Sequence, residues 1–282
     1  MPLIWFSGRA QAETCLDSLA GIDKAITEAL LARRSMVGVC SGCGRHSEFR
    51  LPEPQPGLWT NTTEELVCAC GLNGRMRNAL TAWRATRTSG ARSLIMERVT
   101  PLFALMSRED PDLQGCEFLG EDKTPGETYP FGALAVRHEN LLGLSCADAS
   151  LDLIMHFDVL EHVPDHRVAL RECHRVLADG GTLLFTIPFY AYFGRNLVRA
   201  RLNGGAIEHI LPPSYHGDPV SANGALVFIH PSWEILDDLA QAGFDGIEIG
   251  LNYDITGGIV SNGCPFPDGH CWPLVFRARK PG

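Results

Sequence analysis

The stretch SLDLIMHFDVLEHVPD, residues 150–165, followed after a short interval by RVLADGGTLLFTIP, residues 175–188, decides the fold class. Each apolar run has the length of a buried strand, and Gly180-Gly181 predicts a turn before the second strand. The residues between the runs have a helical pattern. A strand, a helix and a strand in this order form one βαβ unit of a parallel sheet.

The same alternation of strand and helix continues from Ala91 to Arg279. Because the last two strands have no helix between them, we expect them to be antiparallel neighbours at one edge. The pattern predicts an α/β fold, a doubly wound and mostly parallel seven-stranded sheet of the Rossmann-like kind. The predicted strands are 93–97, 113–118, 133–137, 151–157, 182–187, 246–251 and 274–279, and the predicted helices are 100–108, 165–177 and 231–242.

Residues 1–38 form a predicted amino-terminal helical segment. The spacing of apolar residues over 12–34 indicates a one-sided helix whose apolar side consists of Leu16, Leu19, Ile22, Ile26, Ala29 and Leu30. Such a helix needs a partner surface. The zinc module described next, the main domain and a second subunit are the three candidates, and the last of them would make the protein a homodimer.

Residues 39–89 contain two cysteine pairs, Cys40 with Cys43 and Cys68 with Cys70, each followed by a glycine. Pairs of this kind present four thiolates to a tetrahedral zinc ion, and four protein ligands make such a site structural. The alternatives are free thiols, a disulfide, or His46 in place of one cysteine. A predicted helix over 72–89 carries four arginines that indicate either an anionic partner or a solvated helix face: Arg75, Arg77, Arg84 and Arg87.

The net charge of −9 argues against a nucleic-acid binder, because neutralising phosphates requires a surplus of Lys and Arg. No apolar run approaches the roughly 20 residues that span a bilayer. The first residues lack the charged region of a signal peptide. We therefore expect a cytoplasmic protein, and in such a chain the ten cysteines favour metal binding or burial over disulfides.

Residues 90–282 form the predicted main domain, with an insertion at about 189–231 that is too long for a simple connection. Long insertions at the carboxyl end of a sheet are commonly lids or substrate-binding segments. We interpret this one as a lid over the acceptor site. A peripheral or dimerising excursion is the alternative.

The block from 133 to 188 resembles the core of class I S-adenosylmethionine-dependent methyltransferases of the small-molecule "type 11" kind. The segments 40–77 and 97–120 resemble a bacterial subgroup with an amino-terminal cysteine module. The matching motifs, in the family's order, are Asp148-Ala-Ser-Leu-Asp152, Val159-Leu-Glu-His-Val-Pro-Asp165, Arg175-Val-Leu, Gly180-Gly181 and Pro188.

The resemblance implies a cofactor cleft along the carboxyl edge of the sheet. Glu117 takes the place of the acid that accepts hydrogen bonds from the ribose hydroxyls, and a carboxylate can accept two such parallel bonds. Asn140, with Glu139 beside it, takes the place of the adenine contact. The full set of residues that the resemblance places on the cofactor is Glu97, Glu117, Glu139, Asn140, His156, Phe157 and Asp158.

The chain departs from the family after the first strand. The family has an acid followed by a glycine-rich turn, whereas here Glu97 is followed by Arg98, Val99 and Thr100. Two functions are consistent with this departure. One is methyl transfer from S-adenosylmethionine to an oxygen or nitrogen of a small-molecule or sugar-like acceptor. The other is a methyltransferase-like binding or scaffold protein that has lost the cofactor turn.

In methyl transfer the protein mainly aligns the donor and the acceptor, and it can also take a proton from the acceptor. The candidate bases are His162 beside the fourth strand and two histidines of the lid, His209 and His216. A third function, a metal-dependent hydrolase that uses the histidines of the insertion or Cys264 with His270-Cys271, matches no known ligand spacing.

Overall fold

The computed structural model describes residues 3–57, 59–266 and 269–282. The chain forms two compact units. The first comprises residues 1–86, 189–194 and 248–276, and the second comprises 87–188, 195–247 and 277–282.

Helices and strands follow one another along the chain as follows. The amino-terminal part contains β1 (Ile4–Phe6), α1 (Arg9–Arg33), β2 (Ser35–Val39), β3 (His46–Arg50), α2 (Thr62–Glu65) and α3 (Gly74–Thr86). The central part contains β4 (Ser93–Ile95), α4 (Pro101–Glu109), β5 (Gln114–Glu117), β6 (Thr128–Phe131), β7 (Leu134–His138), β8 (Leu151–Phe157), a 3₁₀ helix (Leu160–His162), α5 (His166–Val176) and β9 (Leu177–Thr186). The last part contains β10 (Leu197–Val198), β11 (Ala200–Asn203), β12 (Ala206–His209), β13 (Tyr215–His216), β14 (Ala225–Leu226), β15 (Ile229–His230), α6 (Glu234–Gln241), β16 (Asp245–Leu251) and β17 (Leu274–Arg279).

In the second unit, the core of the sheet is parallel. The pairs β4 with β5, β4 with β8, β5 with β7, and β8 with β9 are all parallel. Within this unit the order of neighbours is β9, β8, β4, β5, β7 and β6. The predicted doubly wound, mostly parallel sheet is confirmed. Strand β6, which pairs antiparallel with β7, is an addition that the sequence pattern did not indicate.

The Gly180-Gly181 pair lies inside β9 and not before it. The pairing of β8 with β9 shifts register there, because Leu151 is opposite Leu177 whereas Leu153 is opposite Thr182. Gly180 has a φ of +76°, a region that side chains other than glycine rarely adopt. The predicted turn is therefore a bulge that lets one strand pair on both sides of the irregularity.

The insertion between β9 and α6 consists of short antiparallel pairs within the second unit. Strand β10 pairs with β15, β11 pairs with β12, and β13 pairs with β14. Each pair has few residues, so its stability depends on packing against its neighbours. Across the described ranges, the structure contains no helix that is both long and apolar enough to cross a bilayer.

In the first unit, α1 buries a polar residue that the apolar pattern did not indicate. Asp23 is 1% exposed, whereas the predicted core residue Ile22 is 53% exposed. The Asp23 carboxylate accepts hydrogen bonds from Tyr253 (2.8 Å) and Ser261 (2.8 Å) and lies 2.9 Å from Nε2 of His270. Helix α1 therefore finds its partner surface on its own chain, in the segment that contains these three residues.

Helix α3 also departs from the predicted solvated or anion-binding face, because Arg77 is 0% exposed. Its guanidinium lies 4.3 Å from the ring centre of Phe49 and donates hydrogen bonds to the carbonyl oxygens of Leu66 (3.0 Å), Leu72 (2.5 Å) and Gly258 (2.7 Å). Arginine combines a flat stacking surface with five donors. In this unit it acts as an internal brace, and the interpretation of Arg77 as a surface residue was wrong.

Candidate functional site

Polar side chains collect at the carboxyl edge of the sheet in the second unit. Because β4, β5, β7 and β8 are parallel, the residues that follow them meet at one edge. Glu97 follows β4 and is 5% exposed, Glu117 ends β5 and is 7% exposed, and Glu139 follows β7 and is 0% exposed. Three buried acids at one edge are a costly arrangement that a fold tolerates only where they have partners or a function.

The turn after β4 is held by Glu117. One oxygen of Glu117, Oε1, accepts hydrogen bonds from the backbone N–H groups of Arg98 (2.7 Å) and Val99 (2.9 Å). Thr100 then caps α4, and Pro101 occupies the start of the helix. The chain thus makes this turn without glycines, and the Glu117 carboxylate accepts hydrogen bonds from two of its backbone amides.

Arg98, the bulkiest residue of this turn, is folded back onto the sheet. Its guanidinium lies 4.6 Å from the ring centre of Phe103. A Cβ atom added to Gly115 would lie 2.9 Å from Cδ of Arg98 and 2.4 Å from the Phe103 ring. Gly115 therefore makes room for both side chains, and Arg98 packs against α4 and β5.

The electrostatic environment of Glu117 places its titration in the physiological range. Burial raises the pKa of Glu117, the two backbone N–H donors oppose this, and the charges of Glu97 and Asp218 raise it further, to about 7. Asp218 belongs to the insertion. A charge of the insertion thus acts on Glu117.

Glu139 and Asn140 shape the loop that follows β7. Glu139 accepts hydrogen bonds from Arg137 (2.8 Å) and from the backbone N–H of Ser145 (2.9 Å). Asn140 accepts a bond from the backbone N–H of Leu142 (2.9 Å). Both side chains have partners within the loop, and their roles as cofactor contacts stay predictions.

The end of β8 contributes three further predicted residues. His156 is 0% exposed, its ring centre lies 5.0 Å from that of Phe185, and burial lowers its pKa to about 4, so the imidazole is neutral. Phe157 is buried beside it. Asp158 has a φ of +53° and accepts a 2.7 Å hydrogen bond from the Thr186 hydroxyl, which ties the ends of β8 and β9 together.

A carboxylate and two histidines meet where the 3₁₀ helix faces the insertion. Oε1 of Glu161 lies 3.5 Å from Nε2 of His162 and 3.6 Å from Nδ1 of His216. Burial opposes the ionisation of Glu161, but the two imidazoles outweigh it and lower the pKa of the carboxyl. We call these three residues the Glu161 cluster. The structure thus brings together two of the three predicted bases.

The third predicted base, His209, lies elsewhere in the insertion. It is exposed at the end of β12, opposite Ala200 of β11. The predicted site residues leave out Glu161 and Asp218, although both belong to segments that the sequence singled out. No local pattern could connect Glu161 with His216, because the two are distant in the sequence and meet only through the fold of the insertion.

The first unit contains a separate cluster of the four predicted cysteines. The Sγ atoms of Cys40 and Cys70 are 3.7 Å apart, those of Cys43 and Cys68 are 3.9 Å apart, and all four lie within 4.8 Å of one another. A tetrahedral zinc ion with bonds of about 2.3 Å separates its sulfur ligands by about 3.8 Å. A disulfide requires about 2.05 Å. The spacing fits a metal and not a disulfide.

Arg77 supports the same interpretation of the cysteine cluster. Burial lowers the pKa of Arg77, and the nearby thiolates of Cys40, Cys68, Cys70 and Cys43 raise it. Four thiolates around a divalent ion carry a net charge of about −2. A buried guanidinium beside them offsets part of that charge. His46, the alternative ligand, is exposed on β3.

Comparison with known proteins agrees with the edge described above. Residues 115–185 match the family "Methyltransferase domain". A "Probable S-adenosylmethionine-dependent methyltransferase" of Mycolicibacterium smegmatis is 43% identical over 53 residues, which cover 19% of this chain and 21% of the relative. A protein of the same description from Mycobacterium tuberculosis is 42% identical over 60 residues, which cover 21% of each chain. The chain thus spans about a fifth of the length of these curated relatives.

Two solved structures are similar to the chain at lower identity. An S-adenosylmethionine-dependent methyltransferase from Mesorhizobium loti is 18% identical, covers 72% of this chain and 98% of its own, and has a TM-score of 0.43. A phosphoethanolamine N-methyltransferase from Haemonchus contortus is 15% identical, covers 73% of this chain and 52% of its own, and has a TM-score of 0.42.

The parallel sheet with its acid-lined carboxyl edge defines a doubly wound α/β protein. Its segment 115–185, which holds that edge from β5 to β9, is similar to S-adenosylmethionine-dependent methyltransferases.

Proposed function

We propose that the protein transfers the methyl group of S-adenosylmethionine to an oxygen or nitrogen of a small-molecule or sugar-like acceptor. One observation carries the proposal. Nδ1 of His216, in the insertion, lies 3.6 Å from Oε1 of Glu161, and Glu161 follows β8 at the acid-lined edge of the sheet. The insertion therefore contacts the edge on which the proposed cofactor residues lie.

The residues at the edge fit the cofactor. Glu117 uses one oxygen for the turn amides, and its other oxygen is the proposed acceptor for the ribose hydroxyls. Glu97 and Asn140 are proposed for the neighbouring ends of the cofactor, as are Glu139, His156, Phe157 and Asp158. S-adenosylmethionine, when bound, supplies a methyl group that is already activated as a sulfonium. The chain's task is to align the acceptor and to receive its proton.

The Glu161 cluster is the proposed acceptor end. Nδ1 of His162 lies 2.9 Å from the carbonyl oxygen of Leu226, so a proton on Nδ1 leaves the lone pair of His162 on Nε2, which lies 3.5 Å from Glu161. His162 and His216 are then placed to take the acceptor's proton, while Glu161 stabilises the resulting charge. His209 stays the third candidate.

We also propose that the four clustered cysteines bind one structural zinc ion. The support is the sulfur spacing and the buried cation of Arg77 beside it. Metal analysis of the purified protein tests it, and the double variant Cys40→Ser/Cys43→Ser must bind one zinc ion per chain fewer than the wild type. A cytoplasmic location is proposed because no disulfide joins any of the ten cysteines, all of which lie in the described ranges. A homodimer stays a prediction for light scattering to test.

One observation favours a second function, a methyltransferase-like binding or scaffold protein. Glu117 accepts hydrogen bonds from the backbone amides of the turn after β4. This turn also lacks the glycines that let a cofactor approach the backbone closely. Incubation with methyl-labelled S-adenosylmethionine and a panel of hydroxylated, aminated and sugar acceptors separates the two functions. Label in a product, lost in Glu117→Gln, supports the enzyme. Binding of an acceptor without transfer of label supports the scaffold.

A further inference from the structure

The carboxylate of Glu161 is in an unusual state for a buried acid. The residue is 0% exposed, and among the residues that the structure describes neither of its oxygens has a hydrogen-bond partner. Two ring nitrogens, Nε2 of His162 and Nδ1 of His216, lie 3.5 and 3.6 Å from the same oxygen of Glu161, Oε1. A charge-assisted hydrogen bond is about 2.7–2.9 Å long. A buried carboxylate normally has closer partners or binds a metal ion.

The spacing of the three ligand atoms leaves room for an ion between them. Metal bonds of about 2.1 Å to two atoms that lie 3.5 or 3.6 Å apart enclose an angle of about 113° or 118° at the ion. The tetrahedral value is about 109°. All three ligand atoms lie within 4.8 Å of one another, so a small approach of the two imidazoles completes the geometry.

The histidines are arranged as metal-binding histidines usually are. The Nδ1 atom of His162 faces the carbonyl oxygen of Leu226 at 2.9 Å, and this contact orients the ring and directs Nε2 toward Glu161. The ring centres of His162 and His216 are 4.9 Å apart and the rings are nearly perpendicular, at 89°, and one nitrogen of each ring lies within 3.6 Å of the same Glu161 oxygen. The side chain of His216 is 35% exposed, which gives the cluster an opening to solvent.

We propose that Glu161, His162 and His216 bind a divalent transition-metal ion of the zinc type, at a site separate from the four cysteines. Two imidazoles and one carboxylate are a donor set for such ions and not for magnesium or calcium, which prefer oxygen ligands. Three protein ligands leave a coordination position for water or an acceptor, as catalytic sites do. We expect this fourth coordination position to face the opening beside His216.

The proposal has a consequence for the methyl-transfer step. Proton transfer and metal binding use the same imidazole lone pairs, so a bound ion replaces the two histidines as bases with a Lewis acid that polarises the acceptor. This consequence rests on the proposed function, whereas the binding of the ion does not. Failure to bind S-adenosylmethionine would overturn the function and leave the metal site standing.

Zinc alone is the probe, and the full-length protein is the sample. The protein is stripped with a chelator under reducing conditions, reloaded with excess zinc, desalted and analysed for metal and protein. We expect two zinc ions per chain in the wild type and one in His216→Ala and in Glu161→Gln. Removing a direct ligand must weaken binding at this site by more than about 100-fold, the upper end for losing an outer-shell partner.

Control variants show which site each zinc ion occupies. His209→Ala removes an exposed histidine of the same insertion and must retain two ions, and Cys40→Ser/Cys43→Ser must lose only the cysteine-bound ion. Because His216 lies on a partly exposed short strand, its loss is compatible with folding, and circular dichroism verifies this. A single ion in the wild type that disappears with the cysteines overturns the proposal. So do two ions that persist in both His216→Ala and Glu161→Gln.

Discussion

Replacing Glu117 by Gln tests the electrostatics at the carboxyl edge of the sheet. The substitution removes a negative charge that destabilises the folded protein but that is proposed to bind S-adenosylmethionine. The pKa of Glu117 is raised from 4.5 to about 7 by burial and by the charges of Glu97 and Asp218, against the pull of two backbone N–H donors. A shift of this size corresponds to about 3 kcal/mol of stability lost when the carboxyl ionises in the folded state.

The sign follows from proton binding. Between pH 4.5 and 7 the folded protein holds the Glu117 proton that the unfolded chain releases. The stabilisation from this group is therefore complete below pH 4.5 and is lost as the pH rises through 7. Gln does not titrate, and its oxygen can still accept from the turn amides. The gain in stability of Glu117→Gln over wild type should thus grow by about 2.5 kcal/mol between pH 5 and pH 8.

Urea denaturation of both proteins at the two pH values measures this difference. Glu121→Gln, which removes an exposed acid a few residues away, is the matched control and must show no such growth. Glu117→Gln should also bind S-adenosylhomocysteine about 10- to 100-fold more weakly than the wild type at pH 8, because the ligand loses hydrogen bonds to a charged group. A stability difference that is independent of pH would refute the electrostatic argument, and unchanged affinity would refute the cofactor role.

Three further predictions concern other parts of the molecule. Arg77→Ala should lower the unfolding free energy measured in urea by about 3 kcal/mol, since three carbonyls lose their donor; an effect below about 1 kcal/mol would contradict its role as a brace. Asp158→Ala should lower the unfolding free energy by about 1–2 kcal/mol, because alanine disfavours the φ of +53° at this position and cannot accept the hydrogen bond from Thr186. Asp158→Asn should lower it less, because asparagine tolerates that φ. Removal of zinc from the cysteine cluster should lower the thermal transition and expose four thiols to a thiol reagent, and an unchanged transition would show that no metal stabilises this unit.

Much of the fold could be predicted because the spacing of apolar residues along the sequence indicates most of the helices and strands. The predicted helices at 100–108, 165–177 and 231–242 correspond to α4, α5 and α6, and the predicted strands of the parallel core are present. Apolar runs between turn residues have few alternatives to buried strands. The additions β1 and β6 are short edge strands whose pairing depends on neighbours and not on their own pattern.

The polar interior could not be predicted, because it depends on contacts between distant residues. A helical pattern that favours Ile22 for the core gives no indication that Asp23 meets His270. An arginine on an amphipathic helix looks solvated until Phe49 and three carbonyls surround it, as they do Arg77. The same limit applies to the candidate site. The strand ends were predicted from their order, whereas the contact of His216 with Glu161 required the folded insertion.

The measurement that tests the central claim most directly is a calorimetric titration of the full-length protein with S-adenosylhomocysteine at pH 8, where Glu117 is ionised. The account predicts saturable binding at one site per chain, weakened in Glu117→Gln and unchanged in Glu121→Gln. No heat and no saturation at millimolar ligand would contradict it, because the turn held by Glu117 would then exclude the cofactor on which the proposed methyl transfer depends.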